Sequence, residues 1–235
     1  MPTQADTLSA VLAASKAILF DFDGPICDVF RGLPAPGVAE ELADLLSTLA
    51  PALAFAARST DDPMEVHRLS QEAGSTVLAA VESALTAAEI RAVKVAGDPA
   101  AGSVQALYAA CDSGRHVAIV SNNSTECVRE YLNQHGVLGL VDEIIGRPVL
   151  RPDLMKPSPY PLVAAASALV VLPSQAVLIG DSVTDIEAAR AAGVQCVGYA
   201  NKPRKIRALA EAGADVVVVQ MQEIADALVA YPTRG

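Results

Sequence analysis

The sequence predicts an α/β fold with a parallel sheet, from its apolar runs and from the segments between them. Short uninterrupted apolar runs, such as residues 17–20 and 117–120, are typical of strands covered on both faces. Longer segments of helical character alternate with these runs, which favours parallel strands joined by helices. One long interruption, between about residues 31 and 98, has no convincing strand. We therefore expect a helical insert between the first and second strands.

The elements follow from these patterns in chain order. Apolar runs predict strands at residues 17–20, 117–120, 143–145, 176–179, 196–198 and 216–219. Helices are predicted between them over about 101–113, 125–135, 158–170, 184–192, 202–212 and 221–230. The interruption predicts helices over 38–49, 63–73 and 76–93. Because a long detour without its own structure is uncommon in a compact domain, we expect a core domain of residues 1–30 and 99–235 and an inserted domain of residues 31–98.

Composition limits the class of protein. Of the 235 residues, 52% are hydrophobic and 19% are charged, which excludes disorder as the overall state. The formal net charge of −10 opposes binding to nucleic acid or to an anionic membrane surface. Four scattered cysteines without a C-x-x-C pair fit a reducing compartment, and the acidic N-terminus makes a poor signal peptide. We expect a cytoplasmic monomer or homodimer that binds neither nucleic acid nor membrane.

An acidic motif, D-x-D-G at residues 21–24, comes directly after the first predicted strand. Ligand sites of open α/β sheets lie at this end of the strands. Carboxylates two residues apart, here Asp21 and Asp23, can share a cation or divide nucleophilic and acid–base work. A polar turn that closes the strand is an equally consistent interpretation of the motif alone.

A second acidic motif, at residues 180–185, follows the predicted strand 176–179. Asp181 stands at the strand end, and Asp185 stands near the start of the next helix, where an acid also serves as a cap. If the two strands are neighbours, four carboxylates converge on one place, which requires a cation. Because the ligands are all oxygens, Mg²⁺ is favoured over zinc.

Two polar features complete the candidate site. Residues 121–124, Ser-Asn-Asn-Ser, follow a strand and open a helix, an arrangement that can hold a phosphate or simply cap the helix. Lys156 lies in a loop stiffened by Pro157 and Pro159. A lone lysine is commonly a solvated surface group, but beside a carboxylate cluster it would supply positive charge and a phosphate contact.

In this order the four motifs resemble those of the haloacid dehalogenase superfamily, over nearly the whole chain. They are D-x-D-G at 21–24, Ser121 after a strand, Lys156 before a helix, and G-D-x-x-x-D at 180–185. The helical insert resembles the small cap of the phosphoglycolate phosphatase and β-phosphoglucomutase branch. The resemblance implies a Rossmann-like parallel sheet core with an inserted helical cap domain.

The resemblance also implies a role for each motif. Asp21 would attack phosphorus and form an aspartyl-phosphate, while Asp23 would protonate the leaving alcohol and then deprotonate the attacking water. The groups that would hold the phosphoryl oxygens are Ser121, Asn122 and Lys156. The implied Mg²⁺ ligands are Asp21, Asp23 through its backbone carbonyl, Asp181 and Asp185.

The implied activity is that of a Mg²⁺-dependent phosphatase acting on a small phosphorylated metabolite, similar to phosphoglycolate phosphatase. A β-phosphoglucomutase-type phosphosugar mutase uses the same residues and stays an alternative, as does a non-catalytic binding or regulatory module. Residues of the insert that are candidates for substrate contact are Arg31, Arg58, His67, Arg68 and Lys94. Arg31 is the best placed, at the start of the insert, although a solvated helix face is consistent with all five. We expect His67 to lie at the surface.

Overall fold

A sheet of six parallel strands is the centre of the computed structural model, which describes residues 3–230. The spatial order is β3-β2-β1-β4-β5-β6. In chain order the strands are β1 (Ala17–Phe20), β2 (His116–Val120), β3 (Glu143–Ile145), β4 (Ala176–Gly180), β5 (Gln195–Tyr199) and β6 (Val216–Val218). The predicted α/β fold with a parallel sheet is confirmed. Residues 1–2 and 231–235, which the predicted core domain includes, lie outside the described residues.

Every predicted helix is present, with ends shifted by a few residues, and two helices were not predicted. The helices are α1 (Gln4–Ala13), α2 (Ala35–Leu49), α3 (Ala54–Ala57), α4 (Pro63–Ser70), α5 (Ser75–Val93), α6 (Ser103–Asp112), α7 (Thr125–Gln134), α8 (Tyr160–Ala168), α9 (Val183–Ala192), α10 (Pro203–Ala212) and α11 (Met221–Ala230). The unpredicted α1 begins with a capping box between Thr3 and Asp6. It buries Leu8, Val11 and Leu12 against the core, so packing and capping together stabilise it.

The strand β1 shows why its sequence lacks polar alternation. Ile18 and Phe20 belong to one apolar cluster, and Ala17 and Leu19 belong to a second cluster. Because successive side chains of a strand point to opposite faces, these clusters lie on the two sides of the sheet. All four residues are fully buried. Helices therefore cover both faces of the sheet, as the continuous apolar runs predicted.

The helices α2 to α5 lie between β1 and β2 in the chain and pack around an apolar cluster of their own. Leu42 and Leu46 of α2 contribute to this cluster, together with Val66 of α4 and with Val81 and Leu85 of α5. The region without strands is thus helical and has a local core. Its division from the rest of the chain at residues 31 and 98 stays a prediction.

The register of the central strands determines where the predicted motifs meet. Phe20 of β1 is level with Ile119 of β2 and with Ile179 of β4. Asp21 comes directly after Phe20, and the loops after β2 and β4 begin beside it. Three loops therefore leave the carboxyl-terminal edge of the sheet side by side, at the middle of the six strands. Within residues 3–230, no helix is both long enough and apolar enough to cross a membrane.

Candidate active site

A cavity of about 330 Å³ lies at this edge, between the sheet and the helical insert. Among its lining residues are all those predicted from the core motifs: Asp21, Asp23, Ser121, Asn122, Lys156, Asp181 and Asp185. The insert contributes Ala35 and residues 61–64, and Phe30 lies in the preceding loop. The structure thus brings together side chains from four loops. Arg31 is not among the residues that line this cavity.

Three buried carboxylates form the centre of the site. Asp21, Asp181 and Asp185 each offer one oxygen, and these oxygens all lie within 4.8 Å of one another. Burial and the charge of Asp185 raise the pKa of Asp21 well above its usual range. Burial likewise raises the pKa of Asp181. Because the cluster is made of oxygen donors and opposes its own ionisation, it fits a hard divalent cation such as Mg²⁺.

Lys156 lies between two carboxylates of the cluster. Its Nζ lies 2.8 Å from Asp21 Oδ1 and 2.6 Å from Asp185 Oδ1, and it donates to the carbonyl of Val120 at 3.0 Å. Burial opposes the charge on this lysine, but Asp185 and Asp21 outweigh burial and raise the pKa of Lys156. The side chain is therefore a permanently charged, immobilised group and not a solvated surface lysine.

Asp23 stands apart from the carboxylate cluster and has a different environment. Its Oδ1 accepts a hydrogen bond of 3.0 Å from the backbone N–H of Val29. Burial raises the pKa of Asp23 to about 6, although the bond from Val29 opposes the rise. A carboxyl group that titrates near neutrality can both give and accept a proton, which suits acid–base work.

Two glycines allow the carboxylates to approach the backbone. The backbone φ of Gly24 is +113°, in the region that favours glycine, and a Cβ there would lie 2.2 Å from Asp181 Oδ2. A Cβ at Gly180 would lie 2.5 Å from Asp185 Cβ. Any larger residue would displace these aspartates. Both acidic motifs therefore need glycine at these positions, because only glycine leaves room for the neighbouring aspartate side chain.

The loop after β2 combines a helix cap with a buried hydroxyl. Ser124 is the capping residue, because its hydroxyl accepts from the N–H of Cys127 at 3.3 Å. Ser121 is buried, and its Oγ accepts from the N–H of Asn123 at 3.0 Å. Asn122 binds the backbone of Lys156 twice, accepting from its N–H at 2.9 Å and donating to its carbonyl at 3.2 Å. Asn122 therefore holds the lysine loop against the β2 loop.

Sequence reasoning missed a buried network around Arg147. This guanidinium donates to Glu82 Oε1 at 2.6 Å, to Glu89 Oε1 at 2.6 Å, to Thr86 Oγ1 at 3.0 Å and to the carbonyl of Asn122 at 3.1 Å. Glu82, Thr86 and Glu89 are all on α5, whereas Arg147 follows β3. The network joins the helical insert to the β2 loop.

Glu89 continues the network into the β2 loop. It accepts from Asn123 Nδ2 at 3.1 Å and from the N–H of Ser124 at 3.0 Å. A signal was present in the sequence, because Glu82 and Glu89 are seven residues apart and so share one helix face. Two acids on the apolar, buried face of a helix indicate a buried partner of opposite charge.

The prediction that His67 lies at the surface is wrong. The imidazole is fully buried, and its Nε2 lies 2.8 Å from Glu82 Oε2. The reason is the packing of α4 on α5, which covers the face of α4 that carries His67 and Val66. His67 therefore belongs to the Arg147 network and does not line the cavity.

The other four basic candidates of the insert make no salt bridge with the carboxylates of the cluster. Arg58 pairs with Asp44 at 2.9 Å, and Lys94 lies 3.7 Å from Glu130. Arg68 contacts Glu65 and donates to the carbonyl of Lys156 at 3.2 Å. Arg31 lies 3.6 Å from Asp28 and lines a second cavity, of about 490 Å³. Substrate contact by any of these four stays a prediction.

Two polar residues after β5 also escaped prediction. Asn201 donates to Asp181 Oδ2 at 3.1 Å, and Lys205 contacts the same oxygen. These contacts arise because β5 is the neighbour of β4, so the loops after the two strands are adjacent. The sequence did contain one indication of this role, because Asn201 closely follows the predicted strand 196–198. Both side chains orient the carboxylate of Asp181.

The parallel sheet and its carboxylate-lined cavity define an α/β enzyme that works at the carboxyl ends of its strands. The chain belongs to the haloacid dehalogenase-like hydrolases, since the model of that family matches residues 15–193.

Individual relatives place the chain within a branch of that family. It is 28% identical over 212 residues to the phosphoglycolate phosphatase of Rhodospirillum rubrum, covering 80% of this chain and 82% of that protein. It is 35% identical over 130 residues to that of Thiobacillus denitrificans, covering 54% of this chain and 55% of that protein. The chain thus spans about half the length of several curated relatives that it matches. A candidate β-phosphoglucomutase from Thermotoga maritima shares the fold, with a TM-score of 0.63, 21% identity, and coverage of 91% of this chain and 98% of that one. The family and branch predicted from the motifs are confirmed.

Proposed function

We propose that the protein is a Mg²⁺-dependent phosphatase that hydrolyses a small phosphate monoester through an aspartyl-phosphate at Asp21. The single observation that carries the proposal is the meeting of Asp21, Lys156, Asp181 and Asp185 in one buried cluster at the strand ends. Two relatives that match 77% and 80% of the chain are named phosphoglycolate phosphatases, which supports the same reaction class.

Asp21 has the environment that a nucleophile needs. Its Oδ1 accepts from the N–H of Phe22 at 2.7 Å and from Lys156 Nζ at 2.8 Å. These bonds fix the carboxylate and leave Oδ2 to attack phosphorus. Lys156 opposes the rise in the pKa of Asp21 that burial and the charge of Asp185 cause. The attack forms an oxygen–phosphorus bond and breaks the bond to the leaving alcohol.

Asp23 carries the proton in both steps. In its acid form it donates a proton to the departing alkoxide, and the resulting carboxylate then accepts a proton from the attacking water. The water attacks phosphorus, phosphate leaves and Asp21 is regenerated. A pKa of about 6 allows Asp23 to work in both directions near neutral pH.

The negative charge on the phosphoryl oxygens must also be neutralised. Ser121, Asn122 and Lys156 line the cavity and would bind its oxygens. The residues that would hold Mg²⁺ are Asp21, the carbonyl of Asp23, Asp181 and Asp185, and the metal would supply positive charge against the phosphoryl oxygens.

The helical insert would act as the cap that covers the reaction. Its residues 61–64 and Ala35 line the cavity opposite the strand ends. Covering the site excludes bulk water and strengthens the electrostatic contacts inside. A phosphosugar mutase would use the same groups, but it must also hold a second phosphate. The names of the relatives that cover most of the chain favour the phosphatase. A purely binding module would not need the nucleophile, the acid and the cation together.

The test is hydrolysis of p-nitrophenyl phosphate by the purified chain with Mg²⁺ and with excess EDTA. We expect turnover that EDTA abolishes and that Asp21→Asn lowers by at least about a thousandfold, as for loss of a nucleophile. Asp112→Asn removes the same charge from an exposed position on α6 and is the matched control. Turnover that survives in Asp21→Asn, or that is unaffected by EDTA, would overturn the proposal.

A further inference from the structure

Arg68 of the helical insert donates to the backbone of the loop that carries Lys156. Its Nη2 lies 3.2 Å from the carbonyl oxygen of Lys156, and the same oxygen accepts from Asn122 Nδ2 at 3.2 Å. A carbonyl oxygen has two lone pairs, so these two donors fill its capacity for hydrogen bonds. One donor belongs to α4 of the insert and the other to the loop after β2. The backbone of Lys156 is therefore held by two separate parts of the chain.

The helix α4 orients Arg68 for this contact. Arg68 forms a salt bridge with Glu65, which lies three residues earlier on the same helix, and its side chain is half-buried. Met64, four residues before Arg68, lines the active-site cavity. Because residues four apart lie on the same side of a helix, one side of α4 contacts both the cavity and the loop of Lys156.

Arg68 itself does not line the active-site cavity. The residues lining that cavity include Lys156 but not Arg68. Arg68 instead lines another cavity, of about 350 Å³, together with Pro157 and Ser158. We therefore expect an effect of Arg68 on the reaction to pass through the backbone of Lys156 and not through contact with the substrate.

The ammonium group of Lys156 must be placed accurately. It already has three acceptors, Asp21 Oδ1 at 2.8 Å, Asp185 Oδ1 at 2.6 Å and the carbonyl of Val120 at 3.0 Å. In the proposed reaction it also binds the phosphoryl oxygens. Displacing a group of this kind by about 1 Å can cost about a hundredfold in rate. Contacts that fix the backbone of Lys156 therefore contribute to binding of the phosphoryl group.

We infer that Arg68 is a positioning residue for Lys156, and that it makes binding of the phosphoryl group depend on the contact between the insert and the loop of Lys156. The inference rests on the proposed phosphatase function, in which Lys156 binds the phosphoryl oxygens. Because every ester has the same phosphoryl group, the effect of Arg68 does not depend on the leaving group. It therefore extends to inorganic phosphate, which has no leaving group at all.

The test measures the Kd of inorganic phosphate by calorimetry and kcat/KM for p-nitrophenyl phosphate, both with Mg²⁺ present. Arg68→Met keeps the apolar stem of the side chain and removes its donors. We expect the Kd to rise about threefold or more and kcat/KM to fall about fivefold or more, as for loss of one charge-assisted hydrogen bond. Arg68→Lys keeps a charged donor and should recover most of both losses.

Two comparisons separate positioning from a merely structural role. Arg91→Met removes an arginine from an exposed salt bridge with Glu41 of the insert and should leave both quantities unchanged. A smaller folded fraction in Arg68→Met would lower kcat and the number of binding sites, but it would not change the Kd of inorganic phosphate. An unchanged Kd in Arg68→Met would therefore overturn the inference.

A double-mutant cycle connects the effect to Lys156. In the Lys156→Met background, Arg68→Met should no longer change the Kd of inorganic phosphate, because the group that Arg68 positions is gone. An equal rise in both backgrounds would mean that Arg68 acts on the anion through its own charge, and it would overturn the inference.

Salt provides a second measurement that does not need the Lys156 variant. At about 1 M salt the Debye length is about 3 Å, so the field of a half-buried arginine is screened. The ratio of the Kd of Arg68→Met to that of the wild type should persist there, and a ratio near one would contradict positioning. Absence of p-nitrophenyl phosphate hydrolysis by the wild-type chain would instead contradict the phosphatase proposal.

Discussion

Arg147 and Glu89 form a buried ion pair with two contacts, Nη1 to Oε1 at 2.6 Å and Nη2 to Oε2 at 3.3 Å. The pair joins the loop after β3 to α5 of the helical insert, and Glu89 also binds Asn123 and Ser124. An element that could move with the insert is therefore tied to the loop that carries Ser121. The position of the insert and the shape of the β2 loop depend on the same two charges.

Removal of Arg147 should destabilise the protein strongly. Arg147→Met leaves Glu82 and Glu89 buried without their cation, and loss of one partner of a buried pair costs about 3–5 kcal/mol. Urea denaturation followed by circular dichroism measures the change, since the chain has no tryptophan. Arg151→Met is the matched control, because Arg151 is exposed and pairs with exposed Asp153. A loss no larger in Arg147→Met than in Arg151→Met would contradict the role of the network.

Acid should weaken the fold through Glu82. Burial would raise the pKa of Glu82, but the bond from His67 and the charge of Arg147 outweigh burial and lower it from 4.5 to about 2. Since the folded pKa is the lower one, this stabilisation is present above pH 4.5 and is lost as the pH falls toward 2. Its size is at most about 3 kcal/mol.

Melting temperatures between about pH 5 and about pH 2 test this contribution, because this range spans the two pKa values of 4.5 and about 2. In Glu82→Gln the melting temperature should be lower at pH 5 and should change less with pH. Glu72→Gln, at an exposed position of the insert, should keep the wild-type dependence. If Glu82→Gln and the wild type show parallel curves, the ionisation of Glu82 does not stabilise the fold.

Alanine at two glycines should have opposite effects. At Gly24 the positive φ and the Cβ contact of 2.2 Å with Asp181 predict a loss of about 2 kcal/mol or more, together with weaker Mg²⁺ binding. At Gly37, within α2, a Cβ meets nothing within 4 Å, so alanine should stabilise the helix by up to about 1 kcal/mol. Urea denaturation of the two variants measures both changes in the free energy of unfolding. Equal effects would show that the approach of Asp181 to residue 24 is not constrained.

Mg²⁺ should raise the thermal stability of the wild-type protein. A ligand that binds only the folded state, present at a hundred times its Kd, adds about 2.7 kcal/mol. The rise should be much smaller in Asp181→Asn, which loses one carboxylate of the cluster, and normal in Asp112→Asn. Melting curves with Mg²⁺ and with EDTA measure the shift. The same shift in Asp181→Asn as in the wild type would place the metal elsewhere.

The sequence predicted the strand-end residues because each motif is local. Asp21 and Asp181 directly follow apolar runs, and parallel pairing brings their loops together. The Arg147–Glu89 pair joins residues 58 positions apart, and the Lys205–Asp181 pair joins residues 24 positions apart. Contacts of this kind depend on how helices pack on the sheet, and hydrophobic periodicity does not specify them. His67 was assigned to the wrong environment for the same reason.

The central claim, that Asp21 becomes phosphorylated, is tested most directly by chemical trapping. Borohydride added during turnover reduces an aspartyl-phosphate to homoserine, and peptide mass spectrometry then identifies the modified position. The account predicts homoserine at position 21 when Mg²⁺ and the phosphate ester are both present, and none when either is omitted or in Asp21→Asn. Trapping at another residue, or continued hydrolysis with no modification at position 21, would contradict it.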